Sequence, residues 1–258
     1  MKNVQRHELA VCGLESVKAL VSVRPDSVKR FFYSQEHAKE FGQLCGRLAA
    51  ARRPYRMVGS DELEKLSGTA HHQGVVAMVD DTPPAPVTDA LLAAWKNSNA
   101  RLVVLDRVGD DHNLGSIARS AAFFGWTAIV TGRDDGTARL TTSAYRVARG
   151  ALERIPVYTD ESAARFVTRC GSAIRTIGAD HRGVHSLREL SAARNKSTTQ
   201  LPGQPGAALA LVLGNEETGL STAVRSACSV LVRIEGAGLV ESLNVSQAAA
   251  VLLYEFGA

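Results

Sequence analysis

Three stretches of the chain are rich in Gly, Asn, Glu and Ser, and each follows an apolar run. They are residues 106–119 (DRVGDDHNLGSIAR), 213–220 (LGNEETGL) and 234–246 (IEGAGLVESLNVS). Convergent polar side chains and exposed main-chain groups are what a ligand pocket requires. Taken singly, each stretch has a structural explanation. Asn113 suits the cap of a helix starting at Leu114, and Arg119 would then be a solvated charge off the face of Ile117, Ala121 and Phe124. Asn244 and Gln247 have capping-box spacing, and Glu216 and Glu217 could sit on an exposed turn. Three such stretches on one chain favour a shared pocket.

Other candidates are weaker. Gly236-Ala237-Gly238 lacks the third glycine of a dinucleotide fingerprint, and too little chain follows for its ribose-binding acid. His181 and His185 are spaced i, i+4, but Gly183 between them argues for a loop and no third ligand is apparent, so no metal site is expected. Cys12, Cys45, Cys170 and Cys228 form no C-x-x-C pair and read as reduced, mostly buried thiols. No Ser/His/Asp or Cys/His nucleophile pattern stands out.

The elements that must position these stretches alternate strand and helix. Residues 102–106, 128–130, 173–178, 209–214 and 230–234 read as strands, the first a continuous apolar run typical of a central parallel strand. Helices are expected over 114–124 and 247–256, and a surface loop over 195–207. A mostly parallel sheet follows, and ligands bind such sheets at the carboxyl ends of strands, where all three polar stretches lie. Upstream, strands at 9–13, 28–33 and 74–79 and helices at 17–21 and 37–51 predict a smaller α/β module.

The 258 residues suggest two domains, and 45% hydrophobic with 22% charged residues suits soluble globular cores. The segment 80–86 (DDTPPAP) marks the boundary, giving domains at 1–82 and 100–258 joined by a linker at 83–99. Residues 1–79 hold 12 Lys and Arg against 8 Asp and Glu, whereas the remainder is balanced at 18 of each. A basic module beside a neutral one suggests a polyanion held by one and worked on by the other. No apolar signal core or membrane-length stretch is evident, so a cytoplasmic protein is expected.

At the three polar stretches the sequence resembles the SpoU/TrmH family of RNA ribose methyltransferases, in the SPOUT superfamily. Its motifs are matched by Asn113-Leu114-Gly115-Ser116-Ile117-Ala118-Arg119, by Leu213 to Leu220, and by Ser242-Leu243-Asn244-Val245-Ser246 with the small residues that follow. Upstream, His72-Gln73-Gly74-Val75-Val76-Ala77 is similar to the end of the family's RNA-binding domain. The resemblance implies an α/β fold with a C-terminal trefoil knot and S-adenosylmethionine held by Gly178, Leu213, Gly214, Asn215, Ile234, Gly238 and Leu243. It also implies a catalytic group of Asn113, Arg119, Glu216, Ser242 and Asn244, and a homodimer whose sites draw on both subunits. Glu235-Gly236 stands where the family carries an apolar or proline pair, which bears on cofactor affinity.

The implied chemistry is an in-line displacement: a ribose 2′-oxygen attacks the methyl carbon, and the sulfonium leaves as a neutral thioether. The leaving group already carries its positive charge, so no metal is called for. A guanidinium is effectively always protonated, which makes Arg119 a better phosphate clamp than a base. Arg47, Arg52, Arg53 and Arg56 form the densest basic cluster and are candidates for RNA phosphates, joined by Arg149 and by Arg139, Arg146 and Arg154. The expected substrate is tRNA or rRNA. The rival expectation is a non-catalytic RNA-binding or ribosome-assembly factor with the same fold, which cofactor binding would discriminate. Base methylation, known elsewhere in the superfamily, does not fit Ser-Leu-Asn-Val-Ser.

Overall fold

The computed structural model describes residues 7–133, 136–190, 208–240 and 242–257, so the loop expected over 195–207 lies outside them. The chain divides into two compact units, one of residues 1–83 with 139–154, the other of 84–138 with 155–258.

The first unit contains β1 (Glu8–Cys12), α1 (Leu14–Val23), β2 (Arg30–Tyr33), α2 (Gly42–Ala50), β3 (Tyr55–Met57), α3 (Ser60–Ser67) and β4 (Val75–Asp80). Their sheet runs β1-β4-β2-β3, antiparallel except for the β2–β3 pair. Residues Val75 to Val79 are all buried, as expected of a strand covered on both faces. The helix expected over 37–51 is divided into a 3-10 turn at Gln35–His37 and α2. Phe41 causes the division by turning into the core against Phe31, their ring centroids 5.1 Å apart.

The first unit also takes up a segment from the middle of the chain, which carries α6 (Thr142–Ala148). Buried Ser16 donates its hydroxyl to the Tyr145 carbonyl at 2.7 Å. Arg24 forms a two-pronged pair with buried Glu153 at 2.6 and 2.8 Å. Gly150 is required twice: its φ is +89°, and a Cβ there would lie 2.6 Å from Cβ of Ala19.

The second unit holds β5 (Ala85–Pro86), α4 (Asp89–Lys96), β6 (Arg101–Asp106), α5 (Asp111–Phe123), β7 (Ala128–Thr131) and β8 (Val157–Thr159). It continues with α7 (Ala163–Cys170), β9 (Ile174–Ala179), β10 (His185–Ser186), β11 (Ala208–Gly214), α8 (Thr222–Ala227), β12 (Val230–Arg233) and α9 (Val245–Gly257). Most of the stretch read as a linker belongs to this unit's packing. Thr88 caps α4 through the Leu91 amide, and Leu92 and Trp95 are buried beside Phe166.

Among the described residues the eight strands are all parallel, in the order β10-β12-β9-β11-β6-β7-β8-β5. β11, which follows both in the chain, lies between β6 and β9, pairing Gly214 with Asp106 and Val212 with Gly178. This insertion departs from a plain doubly wound order. Its effect is to bring the carboxyl ends of β6, β9, β11 and β12 side by side. The last helix packs on α5, where Tyr254 meets Phe124 (ring centroids 5.8 Å) and the Trp126 indole donates to the Leu253 carbonyl.

Candidate active site

A cavity of about 340 Å³ opens at these strand ends. Its walls include the β11 end (Leu213, Gly214), the turn after it, and Ile234, Ser242 and Leu243 from the third polar stretch. Ala179 at the end of β9 and Asp180 and His181 after it also line the cavity; of these the sequence reading weighed only His181, and as a metal ligand. The signal was available: β9 is a neighbour of β11, so the rule that directs attention to parallel strand ends applies to it equally.

Asn113 is not the cap of its helix. Asp110 takes that role, accepting from the His112 amide at 2.8 Å, and α5 begins before Asn113. Asn113 is therefore free to face the site from the first turn. Its Nδ2 donates to Glu216 Oε1 at 2.7 Å, and its Oδ1 accepts from Asn244 Nδ2 at 3.1 Å. One hydrogen-bonded chain thus joins a residue from each polar stretch. Asn244 also performs the capping role its spacing suggested, since its Oδ1 accepts from the Ser246 amide (2.8 Å) and hydroxyl (2.6 Å). One amide both starts α9 and ties it to the site.

The second stretch folds back on itself. Asn215 and Gly219 exchange main-chain hydrogen bonds at 3.1 and 2.9 Å. The turn lies so close that a Cβ at Gly214 would sit 2.3 Å from the Gly219 carbonyl carbon. Asn215 borders the cavity, but its side chain is engaged in the loop. Oδ1 accepts from the Glu217 and Thr218 amides, both at 3.0 Å, and Nδ2 donates to the Arg107 carbonyl at 2.9 Å. Beneath it, buried Asp106 accepts from the Ser221 amide at 2.6 Å, fixing the start of α8. These bonds leave Glu216 projecting to the cavity wall with its carboxylate held by Asn113.

Asp180 is buried and fully engaged. Its carboxylate accepts from Arg225 Nε at 2.7 Å and from the Arg182 amide at 2.8 Å. Burial opposes its charge, but the Arg182 amide and the Arg225 guanidinium outweigh burial and hold its carboxyl below the usual range. Glu235 faces Arg188 (3.7 Å) and Arg233 (3.9 Å), so those guanidiniums offset the charge it introduces.

The remaining expected residues fall elsewhere. Gly178 lies within β9, where Leu231, Leu220 and Cys228 crowd its Cα, so its small size serves strand packing. Gly238 is exposed with φ +78°, and neither glycine borders the cavity. Arg119 is exposed on α5, outside the Asn113–Glu216–Asn244 chain. In the first unit, Arg47 and Arg52 are exposed, whereas Arg53 donates to the Val28 carbonyl at 2.8 Å and Arg56 pairs with Glu62. Arg149 is exposed at the end of α6 in a left-handed conformation. Burial pushes the Cys12 thiol up to about 11 and those of Cys170 and Cys228 to about 12.

The parallel sheet with an inserted strand, and an amide–carboxylate chain across three strand-end loops, define an α/β protein with a ligand site at its strand ends. The sequence profile of the SpoU rRNA Methylase family matches residues 100–254, and that for RNA 2′-O ribose methyltransferase substrate binding matches residues 10–85. The chain belongs to the SpoU family. It is 34% identical over 246 residues to the 23S rRNA (guanosine-2′-O-)-methyltransferase RlmB of a Burkholderia species, covering 94% of this chain and 93% of that protein. It is 32% identical to the protein of that name from Acinetobacter baylyi, covering 94% of each. Among solved structures, the SpoU methyltransferase AviRb from Streptomyces viridochromogenes superposes with TM-score 0.72 at 25% identity, covering 99% of this chain and 91% of that one. An rRNA methyltransferase from Sinorhizobium meliloti shares the fold at TM-score 0.75 and 21% identity, covering 98% and 88%.

Proposed function

We infer that the protein transfers a methyl group from S-adenosylmethionine to a ribose 2′-oxygen of RNA. The observation that carries this reading is the Asn244–Asn113–Glu216 chain, which ends on Glu216 in the wall of the strand-end cavity. The relatives named above support ribosomal RNA over tRNA, and a guanosine as the nucleotide.

The cavity fits such a cofactor. Its volume of about 340 Å³ falls within the range for small-ligand sites. Leu213, Ile234, Leu243 and Val245 give it apolar walls for an adenine, and Glu216 brings a carboxylate for a cationic centre. Main-chain groups at Gly214, Ile234 and Leu243 would hold the base. When bound, S-adenosylmethionine supplies a methyl group on a positively charged sulfur. Asn113, itself held by Asn244, orients the Glu216 carboxylate, which would take the proton of the attacking 2′-hydroxyl. Ser242 borders the same space. The path of the chain from β9 through β11 and β12 to α9, packed on α5, suits the trefoil knot of the family.

Arg119 belongs to this reading through a second copy. On α5 and α9 it shares the surface with Phe123, 83% exposed, and Tyr254, 66% exposed. A homodimer formed on that apolar face would bring Arg119 to the partner's site as a clamp for the RNA phosphate. No helix among the described residues is long and apolar enough to cross a membrane. An rRNA substrate supports a cytoplasmic location.

The test is transfer of tritiated methyl from S-adenosylmethionine to ribosomal RNA, with cofactor affinity measured by calorimetry. The wild type should label the RNA. Glu216→Gln should transfer at least about 100-fold more slowly, a loss that persists at saturating cofactor and so exceeds any weakening of cofactor binding. Cofactor binding without transfer to any RNA would favour the non-catalytic factor.

A further inference from the structure

The first unit has an outer strand left open on its far side. β3 closes the sheet after β2, and all three of its residues are exposed. Exposed sheet edges are ordinarily covered or protected by charge. Here Tyr55 and Met57, 40% and 49% exposed, alternate onto the same face of the strand, with Arg56 on the other side paired to Glu62. Register places Tyr55 beside Phe31 and Met57 beside Tyr33. Phe31 stacks on Tyr33 (ring centroids 5.2 Å, planes 15° apart) and packs on Phe41. An aromatic row therefore runs from the core out to the open edge.

Charge accompanies that row. Residues 41–60 contain four arginines and no Asp or Glu. Arg47, in the last turn of α2, and Arg52, in the turn leading to β3, are exposed and make no ion pair among the described residues. Arg52 is held at φ +54°, an uncommon conformation for a residue with a side chain. Arg53 is different: it braces the turn by donating to the Asp26 and Val28 carbonyls.

We propose that this edge is a stacking platform for a single-stranded segment of the RNA substrate, with an unpaired base on Tyr55 and Met57 and flanking phosphates on Arg47 and Arg52. It rests on the reading of the protein as an RNA methyltransferase and names where the substrate is gripped. Flat apolar side chains beside unpaired guanidiniums suit an unstacked base on a charged backbone. An apolar protein partner would leave the arginines unanswered. A regular duplex would present no free base face to Tyr55.

The intact protein can be titrated against a fluorescein-labelled 15-nucleotide oligouridylate and a 15-base-pair RNA duplex, by anisotropy at several potassium chloride concentrations. The single strand should bind more tightly than the duplex. The double variant Tyr55→Ala/Met57→Ala should weaken single-strand binding about tenfold, and Tyr55→Phe should leave it within about twofold. Arg47→Ala and Arg52→Ala should each lower the slope of log affinity against log salt by about 0.7. Calorimetry with S-adenosylmethionine should give wild-type affinity for all these variants. The platform is overturned if wild type binds the oligonucleotide and the double variant binds it equally well, even though methyl transfer survives. It is also overturned if the double variant alters only self-association in sedimentation. Failure of wild type to bind any RNA would overturn the platform and the RNA reading together.

Discussion

Asn113 shows how one side chain can depend on three distant stretches. Replacing buried Asn113 with Ala removes the donor to half-buried Glu216 and the acceptor for exposed Asn244. We expect Asn113→Ala to lose about 1–3 kcal/mol of stability and to slow single-turnover methyl transfer at least tenfold, read by thermal melting and rapid quench. The motif residues were visible in the sequence, but the division of labour was not. The choice between Asp110 and Asn113 as cap depends on where the backbone turns into α5, which residue type alone does not fix. Asn215 was legible as a site residue, whereas its role as the brace of its own loop required the fold. Asp180 carries a pH signature. Its native carboxyl titrates below the ordinary value of 3.8, so its stabilisation is present above that value and is lost as pH falls through the native pKa. Urea melts should therefore show wild type more stable than Asp180→Asn at pH 7, with the gap closing below about pH 3.8.

At the scale of elements, the long apolar strands were the legible part. β6 and β11 announce themselves as continuous apolar runs because they are buried on both faces. Three-residue β3 and β8 have no periodicity to read, and tertiary pairing alone makes them strands. The stretch 83–99 was misleading because its prolines end at Pro86, and α4 with buried Trp95 follows at once. The turn after α6 offers a sharp test. Gly150→Ala would combine a strained φ with a methyl pressed on Ala19 and the Glu15 carbonyl, and should cost about 3 kcal/mol in denaturant melts. A cost under about 0.5 kcal/mol would mean that the segment does not sit on α1 as described.

The whole molecule is less modular than its sequence suggests. Residues 139–154 complete the first unit, with Tyr145, Ala148 and Leu152 buried there and Glu153 paired to Arg24. A fragment ending at residue 83 should thus bind an apolar dye and melt broadly, whereas the intact chain should not. Nothing local marked this, since the partners are 129 residues apart. The exposed Phe123–Tyr254 surface makes a separate prediction: Tyr254→Asp should shift the protein toward monomer in sedimentation and slow methyl transfer, while sparing the fold. The central claim is that the strand-end cavity directs a methyl group to ribose oxygen. Its most direct measurement is mass spectrometry of nucleosides from ribosomal RNA treated with the protein and S-adenosylmethionine carrying a deuterated methyl. The account predicts the label on the 2′-oxygen of guanosine, in a nucleotide linkage resistant to alkali, and contradicts any result in which the label sits on a base.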